Sequence, residues 1–161
     1  MSTDFSKLAA SWIEWANSAH LTHVAVSTDC EDCEVAFTSD DQSFHLRQDN
    51  GWWVLDTVDE RGRRYSSTAK FSTFDLAEKY LVWRWASVAR SVMRAKQLGR
   101  YLHSLGIKPG VEVLPTDREY VVELWLHGGI AILPASEVPV FSHVLDMSLE
   151  EVEQTVREGV A

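Results

Sequence analysis

The sequence has few cysteines and no long apolar run. Two cysteines among 161 residues are too few for a disulfide framework. No apolar stretch approaches the roughly 20 residues that a helix needs to cross a bilayer. The N-terminus also lacks the basic segment and apolar run of a secretory signal. We therefore expect a cytoplasmic protein that does not enter a membrane.

The sequence also lacks the motifs of common enzyme classes. It contains no GxSxG nucleophile motif, no phosphate-binding glycine-rich loop and no HExxH zinc motif. Its six histidines are scattered, without the spacing of a catalytic or metal-binding pair. We therefore expect a protein without enzymatic activity, cofactor or metal.

Cys30 and Cys33 form a CxxC motif whose two central residues are both acidic. A redox CxxC needs its first thiolate beside a cation or a helix N-terminus, whereas acidic neighbours disfavour a thiolate. A zinc site needs two further ligands at a paired spacing, and the nearest histidines, His20 and His23, do not supply it. We interpret the segment as a structural turn, with metal binding and redox chemistry as alternatives.

Charge is unevenly distributed along the chain. Residues 1–70 carry 12 acids and 6 bases, residues 71–110 carry 2 and 7, and residues 111–161 carry 10 and 2, which gives the net charge of −9. An acidic surface of this kind repels nucleic acid and anionic membranes, and it attracts a basic protein partner. Solubility alone is the other explanation of such a charge.

Apolar side chains recur every three or four residues from 72 to 105 and predict one long helix. Ser72 and Thr73 can cap its start, and Gly106 follows its end. Trp85 belongs to the apolar stripe, whereas Trp83 points elsewhere and either packs in a second layer, which we favour, or lies exposed as a candidate binding residue. Basic residues are expected on the outer face: Lys79, Arg84, Arg90, Arg94, Lys96 and Arg100.

The rest of the pattern predicts short strands between two terminal helices. We expect helices at 3–19 and 148–159, and an irregular loop or a segment with one short turn at 134–147 because of Pro134 and Pro139. Strands are predicted at 23–27, 34–38, 43–47, 52–58, 64–69, 111–114, 120–126 and 130–133, with 64–69 at an edge. This order indicates a single α+β domain over residues 1–161, in which an antiparallel sheet packs against the long central helix.

Several segments together resemble a known family. They are WIEWA at 12–16, WVL at 53–55 with Glu60-Arg61 in the following turn, FSTF at 71–74 leading into LAEKYL at 76–81, Arg90, AIL at 131–133, Phe141-Ser142 and SLE at 148–150. The pattern is similar to actinobacterial immunity proteins of polymorphic toxin systems. Within these it most resembles the antitoxins of the tuberculosis necrotizing toxin, a type of NAD glycohydrolase.

This resemblance implies a non-enzymatic protein that binds a cognate toxin before export and occludes its active site. An acidic inhibitor suits a basic cleft that binds the pyrophosphate of NAD. We expect the toxin to contact acidic loops, with two glycines allowing close backbone approach. The predicted contact residues are Asp29, Glu31, Asp32, Asp40, Asp41, Asp59, Glu60, Gly128 and Gly129.

A secretion or peptide-binding chaperone is the alternative. Small acidic chaperones of the type III and YbjN-like classes share the order helix, strands, helix, strands, helix. Such a protein would hold an extended client segment on apolar patches, whereas an immunity protein binds one folded toxin.

Overall fold

The computed structural model describes residues 3–160. Helices and an antiparallel sheet occupy separate stretches of the chain, which confirms the predicted α+β class. The elements are α1 (Ser6–Ser18), β1 (Ala25–Ser27), β2 (Val35–Thr38), β3 (Ser43–Asp49), β4 (Trp52–Val58), β5 (Arg64–Phe71), α2 (Phe74–Val92), α3 (Leu98–Ser104), β6 (Glu112–Pro115), β7 (Val121–Leu126), β8 (Gly129–Pro134), α4 (Val138–Val144) and α5 (Leu149–Arg157).

The sheet has eight strands in the order β1-β2-β3-β4-β5-β8-β7-β6. Strands β1 to β5 form one meander, and β6 to β8 form a second. The meanders join where Lys70 and Phe71 of β5 pair with Ile132 and Ala131 of β8. The prediction that residues 64–69 form an edge strand agrees with their pairing, which is with β4 alone, but β5 continues to Phe71 and its last two residues make it a central strand. The strand is polar only in its first half, and Ala69 and Phe71 at its other end are buried.

The predicted helix over 72–105 is wrong in its length, because the chain breaks it into α2 and α3. Helix α2 ends at Val92, and Arg94 then adopts a positive φ of 58°. The side chain of Arg90 is 2% exposed and turns back onto the break, where its Nε and Nη2 donate to the carbonyl of Lys96 at 3.0 and 2.7 Å. These bonds satisfy a carbonyl that a continuous helix would have satisfied itself.

Two basic residues of α2 are not on the outer face as predicted. Arg90 is buried, and Lys79 is 7% exposed. The Nζ of Lys79 forms an ion pair with Asp75 at 2.7 Å and donates to the carbonyl of Leu145 at 3.5 Å. The long aliphatic part of the side chain is buried while its charged end keeps these two partners. Trp83 is 4% exposed, which confirms its burial.

The helices cover one face of the sheet. Trp12 of α1 and Trp85 of α2 have ring centroids 5.0 Å apart, and Trp85 also lies 4.9 Å from Phe37 of β2. Tyr80 of α2 packs against Phe71 of β5 at 5.1 Å. Alternate residues of each strand contribute to this core, and the residues between them point to the other face.

The segment predicted to be irregular, 134–147, contains a 3₁₀ turn at Ala135–Glu137 and then α4. The 3₁₀ turn agrees with the predicted short turn, but α4 was not predicted. Pro139 allows this helix because it occupies the first turn, where a missing N–H costs nothing. The capping box at Ser148 is confirmed: Ser148 Oγ accepts from the Glu151 backbone at 3.1 Å, and Glu151 accepts from the Ser148 backbone at 3.2 Å. None of the helices between residues 3 and 160 combines the length and apolar character that crossing a membrane requires.

Candidate functional site

The predicted contact residues lie in four connections of the sheet. In an antiparallel meander, alternate connections fall at the same end, so the β2–β3 and β4–β5 connections share one end of the sheet. The β7–β8 turn lies at the opposite end. These positions place Asp40 and Asp41 at the same end as Asp59 and Glu60, and they place Gly128 and Gly129 away from all four acids.

Asp40 and Asp41 are tied to the segment before β1. The carboxylate of Asp40 accepts from the hydroxyl of Thr22 at 3.1 Å and forms a short contact with Nδ1 of His23. Asp41 accepts from the backbone N–H of Thr22 at 3.3 Å. The hydrogen bond to Asp40 raises the pKa of His23, and the same bond lowers the pKa of Asp40.

Asp59 and Glu60 differ in what they bind. Asp59 Oδ1 accepts from the backbone N–H groups of Arg61 and Arg63 at 3.0 and 2.9 Å, so this carboxylate holds the β4–β5 turn. Glu60 is exposed at the tip of the same turn. Of these two acids, Glu60 is the one whose carboxylate is free to meet a partner, since the residues that the structure describes supply no partner for it.

The two glycines also differ. Gly129 has a φ of 147°, and a Cβ added there would lie 2.5 Å from Oγ of Ser72. The same Ser72 hydroxyl accepts from the backbone N–H of Ile130 at 2.8 Å. Gly129 therefore allows the segment before α2 of this same chain, and not a partner, to pack closely against it. A Cβ at Gly128 would meet nothing within 4 Å.

The β1–β2 connection lies against the sheet face that the helices leave uncovered. Cys30 and Cys33 form a disulfide within it, a bond that the sequence analysis did not predict. Asp32 accepts from Nη1 of Arg64 at 2.8 Å, and Sγ of Cys33 lies 3.8 Å from Nδ1 of His45. Arg64 and His45 belong to β5 and β3, so both contacts fix the connection to that face.

The same face carries an ionic network, with a buried aspartate between two partly exposed arginines, that sequence reasoning missed. Asp56 of β4 is 2% exposed and accepts from Nε of Arg47 at 2.9 Å, Nη2 of Arg64 at 2.8 Å and the backbone of Ser67 at 2.8 Å. Burial alone would raise the pKa of Asp56, but these hydrogen bonds outweigh it and the pKa is lowered. Burial, together with the charge of Arg64, lowers the pKa of His45, which lies opposite Asp56.

The other half of the uncovered face is apolar. Trp125 of β7 is 44% exposed, and its Nε1 donates to Glu123 at 2.7 Å. Ile130 of β8 lies directly opposite Trp125, and Ile132 lies opposite Glu123. We call the uncovered surface the open face: its polar half is His45, Arg47, Asp56 and Arg64, and its apolar half is Leu114, Trp125, Ile130 and Ile132.

The register shows how the open face is assembled. Side chains on one face of a sheet come from every second residue of a strand. In the sequence, the residues of the polar half and of the apolar half are therefore isolated positions in different strands, and only the strand register brings them together. The neighbour relations come from the pairing of β3 with β4 and of β7 with β8. Alternation in 120–126 was visible in the sequence and could have pointed to Trp125.

The architecture is an α+β fold in which helices cover one face of the sheet and leave the other open. The profile of the family described as Immunity protein 61 matches residues 15–159, and the chain therefore belongs to this family. The expected relationship to immunity proteins is confirmed.

A solved structure is similar to this chain in fold. It is described as Rv3902c from M. tuberculosis, and it is 16% identical in sequence with a TM-score of 0.69. The similarity covers 94% of this chain and 87% of that chain. No curated protein matches the sequence.

Proposed function

We propose that this immunity protein binds a cognate toxin and blocks its active site, and that the open face with its adjoining acidic loops is the binding surface. Family membership supports the class of partner. The observation that carries the choice of surface is Trp125, a tryptophan 44% exposed on a sheet face beside half-buried isoleucines. Exposed tryptophans within apolar patches are typical centres of protein interfaces.

The acidic loops extend this surface with charge. Asp29, Glu31 and Glu60 are exposed, and among residues 3–160 no cation pairs with their carboxylates. Asp32 and Asp40 instead bind Arg64 and His23 of this chain. We expect the three unpaired acids to make the main electrostatic contribution to binding, because pairing them with a toxin breaks no internal ion pair.

An NAD-degrading toxin suits this charge. A cleft that binds the pyrophosphate of NAD presents basic groups, and the positive potential that attracts the phosphates also attracts carboxylates. The protein's net charge of −9 adds long-range attraction to such a partner. In this proposal the chain acts by binding alone, in the cytoplasm, where it holds the toxin inactive before export.

The test begins with the protein encoded beside this chain's gene. The two proteins are purified separately, and hydrolysis of NAD by the neighbour is measured while this chain is titrated in. The proposal predicts that activity falls to zero at one chain per toxin. Full activity at a tenfold excess, or capture only of unfolded segments, would refute it and favour a chaperone.

Charge reversal then tests the surface. We expect Asp29→Lys with Glu31→Lys to slow association by about tenfold at low salt, with the difference shrinking as salt is added. The matched control is Glu150→Lys with Glu158→Lys, which makes the same charge change on the helix side of the molecule. Equal effects of the two pairs would show that only net charge matters and would remove the β1–β2 connection from the proposed surface.

A further inference from the structure

We propose that, once the disulfide is reduced, Cys30, Cys33, His45 and Asp32 form a binding site for a divalent metal that prefers thiolate ligands, such as Zn²⁺. The histidines that precede the CxxC motif in the sequence, His20 and His23, do not supply the missing ligands. The structure brings a different histidine, His45 of β3, to the cysteines. This inference does not depend on the proposed toxin binding.

The ligand atoms are already gathered. One ligand atom each from Asp32, Cys33 and His45 lies within 4.8 Å of the others. The Sγ of Cys33 is 3.8 Å from Nδ1 of His45. In a tetrahedral zinc site with Zn–S of about 2.3 Å and Zn–N of about 2.0–2.1 Å, sulfur and nitrogen ligands are about 3.6 Å apart. The pair therefore has nearly the separation that a shared zinc ion requires.

The fourth ligand follows from the disulfide. Cys30 Sγ is bonded to Cys33 Sγ, so it lies next to one ligand of the cluster, although only Asp32, Cys33 and His45 have ligand atoms within 4.8 Å of one another. Two cysteines separated by two residues are a common half of a structural zinc site. The other half of the site is His45 from strand β3 and Asp32 from the β1–β2 connection. The full ligand set is then two thiolates, one imidazole and one carboxylate.

The surrounding charge favours a dication. Asp29, Glu31 and Glu34 are exposed on the same connection as the cysteines. The competing cation is Arg64, which binds Oδ2 of Asp32 at 2.8 Å. Oδ1 of Asp32 has no hydrogen-bond partner among residues 3–160, so one carboxylate oxygen is available to a metal while the other keeps its arginine.

Reduction and binding are balanced steps. A dithiol reductant breaks the Cys30–Cys33 bond, delivers two electrons and two protons to the two sulfurs, and leaves as its own cyclic disulfide. The metal then displaces the two thiol protons into solvent and binds two thiolates. The acidic neighbours disfavour a free thiolate, but the charge of the bound dication compensates for them.

Anaerobic titration with Co²⁺ tests the site, because tetrahedral cobalt thiolates give strong visible bands and a near-ultraviolet charge-transfer band. The reduced chain is expected to bind one Co²⁺, and Zn²⁺ is expected to displace it and abolish the bands. The oxidised chain is the internal control, since it has the same sequence and its cysteines are blocked. It is expected to give neither band.

Variants assign the ligands. Cys33→Ser should at least halve the charge-transfer band, because one of the two thiolates is lost, and His45→Gln should weaken binding at least about tenfold. The matched control is His23→Gln, which removes another histidine paired with an aspartate, Asp40, and should change nothing. Circular dichroism of each reduced variant establishes that it is folded. Absence of the bands in the folded, reduced wild type, or equal metal binding by the oxidised chain, would overturn the proposal.

Discussion

Nη1 of Arg90 donates to the backbone carbonyl of Val156 at 2.9 Å, which joins α2 to the last turn of α5 across 66 residues of sequence. The same guanidinium binds the carbonyls of Glu158 and Lys96. One buried side chain thus satisfies carbonyls at the end of α5 and in the α2–α3 connection. Without it the buried carbonyl of Val156 would lose its donor.

Replacing this arginine should destabilise the fold strongly. We expect Arg90→Leu to lower the free energy of unfolding by about 3 kcal/mol, since it leaves the buried carbonyl of Val156 unpaired and removes the bonds to the partly buried carbonyls of Lys96 and Glu158. Urea denaturation followed by tryptophan fluorescence measures the change. Arg100→Leu on the exposed face of α3 is the control and should change stability by less than about 0.5 kcal/mol. Similar losses in both variants would contradict this role.

The network on the open face gives a second prediction. Asp56→Asn should destabilise the protein by about 3 kcal/mol, because Arg47 and Arg64 lose their buried counter-charge. Asp49→Asn is the matched control: it removes a carboxylate 3.7 Å from the same Arg47 but exposed to solvent, and it should cost less than about 1 kcal/mol. Equal costs in urea denaturation would show that burial of Asp56 is unimportant.

The pKa of Glu78 gives a third prediction. Burial against α1 and α5 raises it to about 7 from an ordinary value of 4.5, with Lys7 opposing the shift and Asp75 adding to it. The folded state therefore holds a proton between these two pH values that the unfolded state releases, so this group lowers stability progressively as pH rises from 4.5 through 7.

The variant Glu78→Gln removes that titration. Relative to wild type, it should gain about 1–2 kcal/mol on going from pH 5 to pH 8. Urea denaturation at the two pH values, with Glu150→Gln as the exposed control, measures the difference. A gain that is the same at both pH values would mean that Glu78 titrates normally in the folded protein.

Some of the fold could be predicted because its signals are local. Asp49-Asn50-Gly51 marks the β3–β4 turn, and Asn50 and Gly51 indeed adopt positive φ. The capping box at Ser148 likewise needs only four consecutive residues. Each of these elements was predicted within a few residues of its observed bounds.

Other features depend on distant partners. The end of α2 could not be read from periodicity, because the break at Arg94 uses no glycine or proline and is stabilised by Arg90. The central place of β5 depends on pairing with β8, about 60 residues later. His45 and Asp32 meet only because the β1–β2 connection packs on the open face.

The central claim is that the open face binds the toxin, and Trp125→Ala tests it most directly. The affinity of the purified toxin is measured by calorimetry for this variant and for Tyr101→Ala, which removes an aromatic side chain 63% exposed on α3. We predict that Trp125→Ala weakens binding at least about tenfold, with unfolding unchanged, and that Tyr101→Ala binds like wild type. Wild-type affinity for Trp125→Ala would contradict the account.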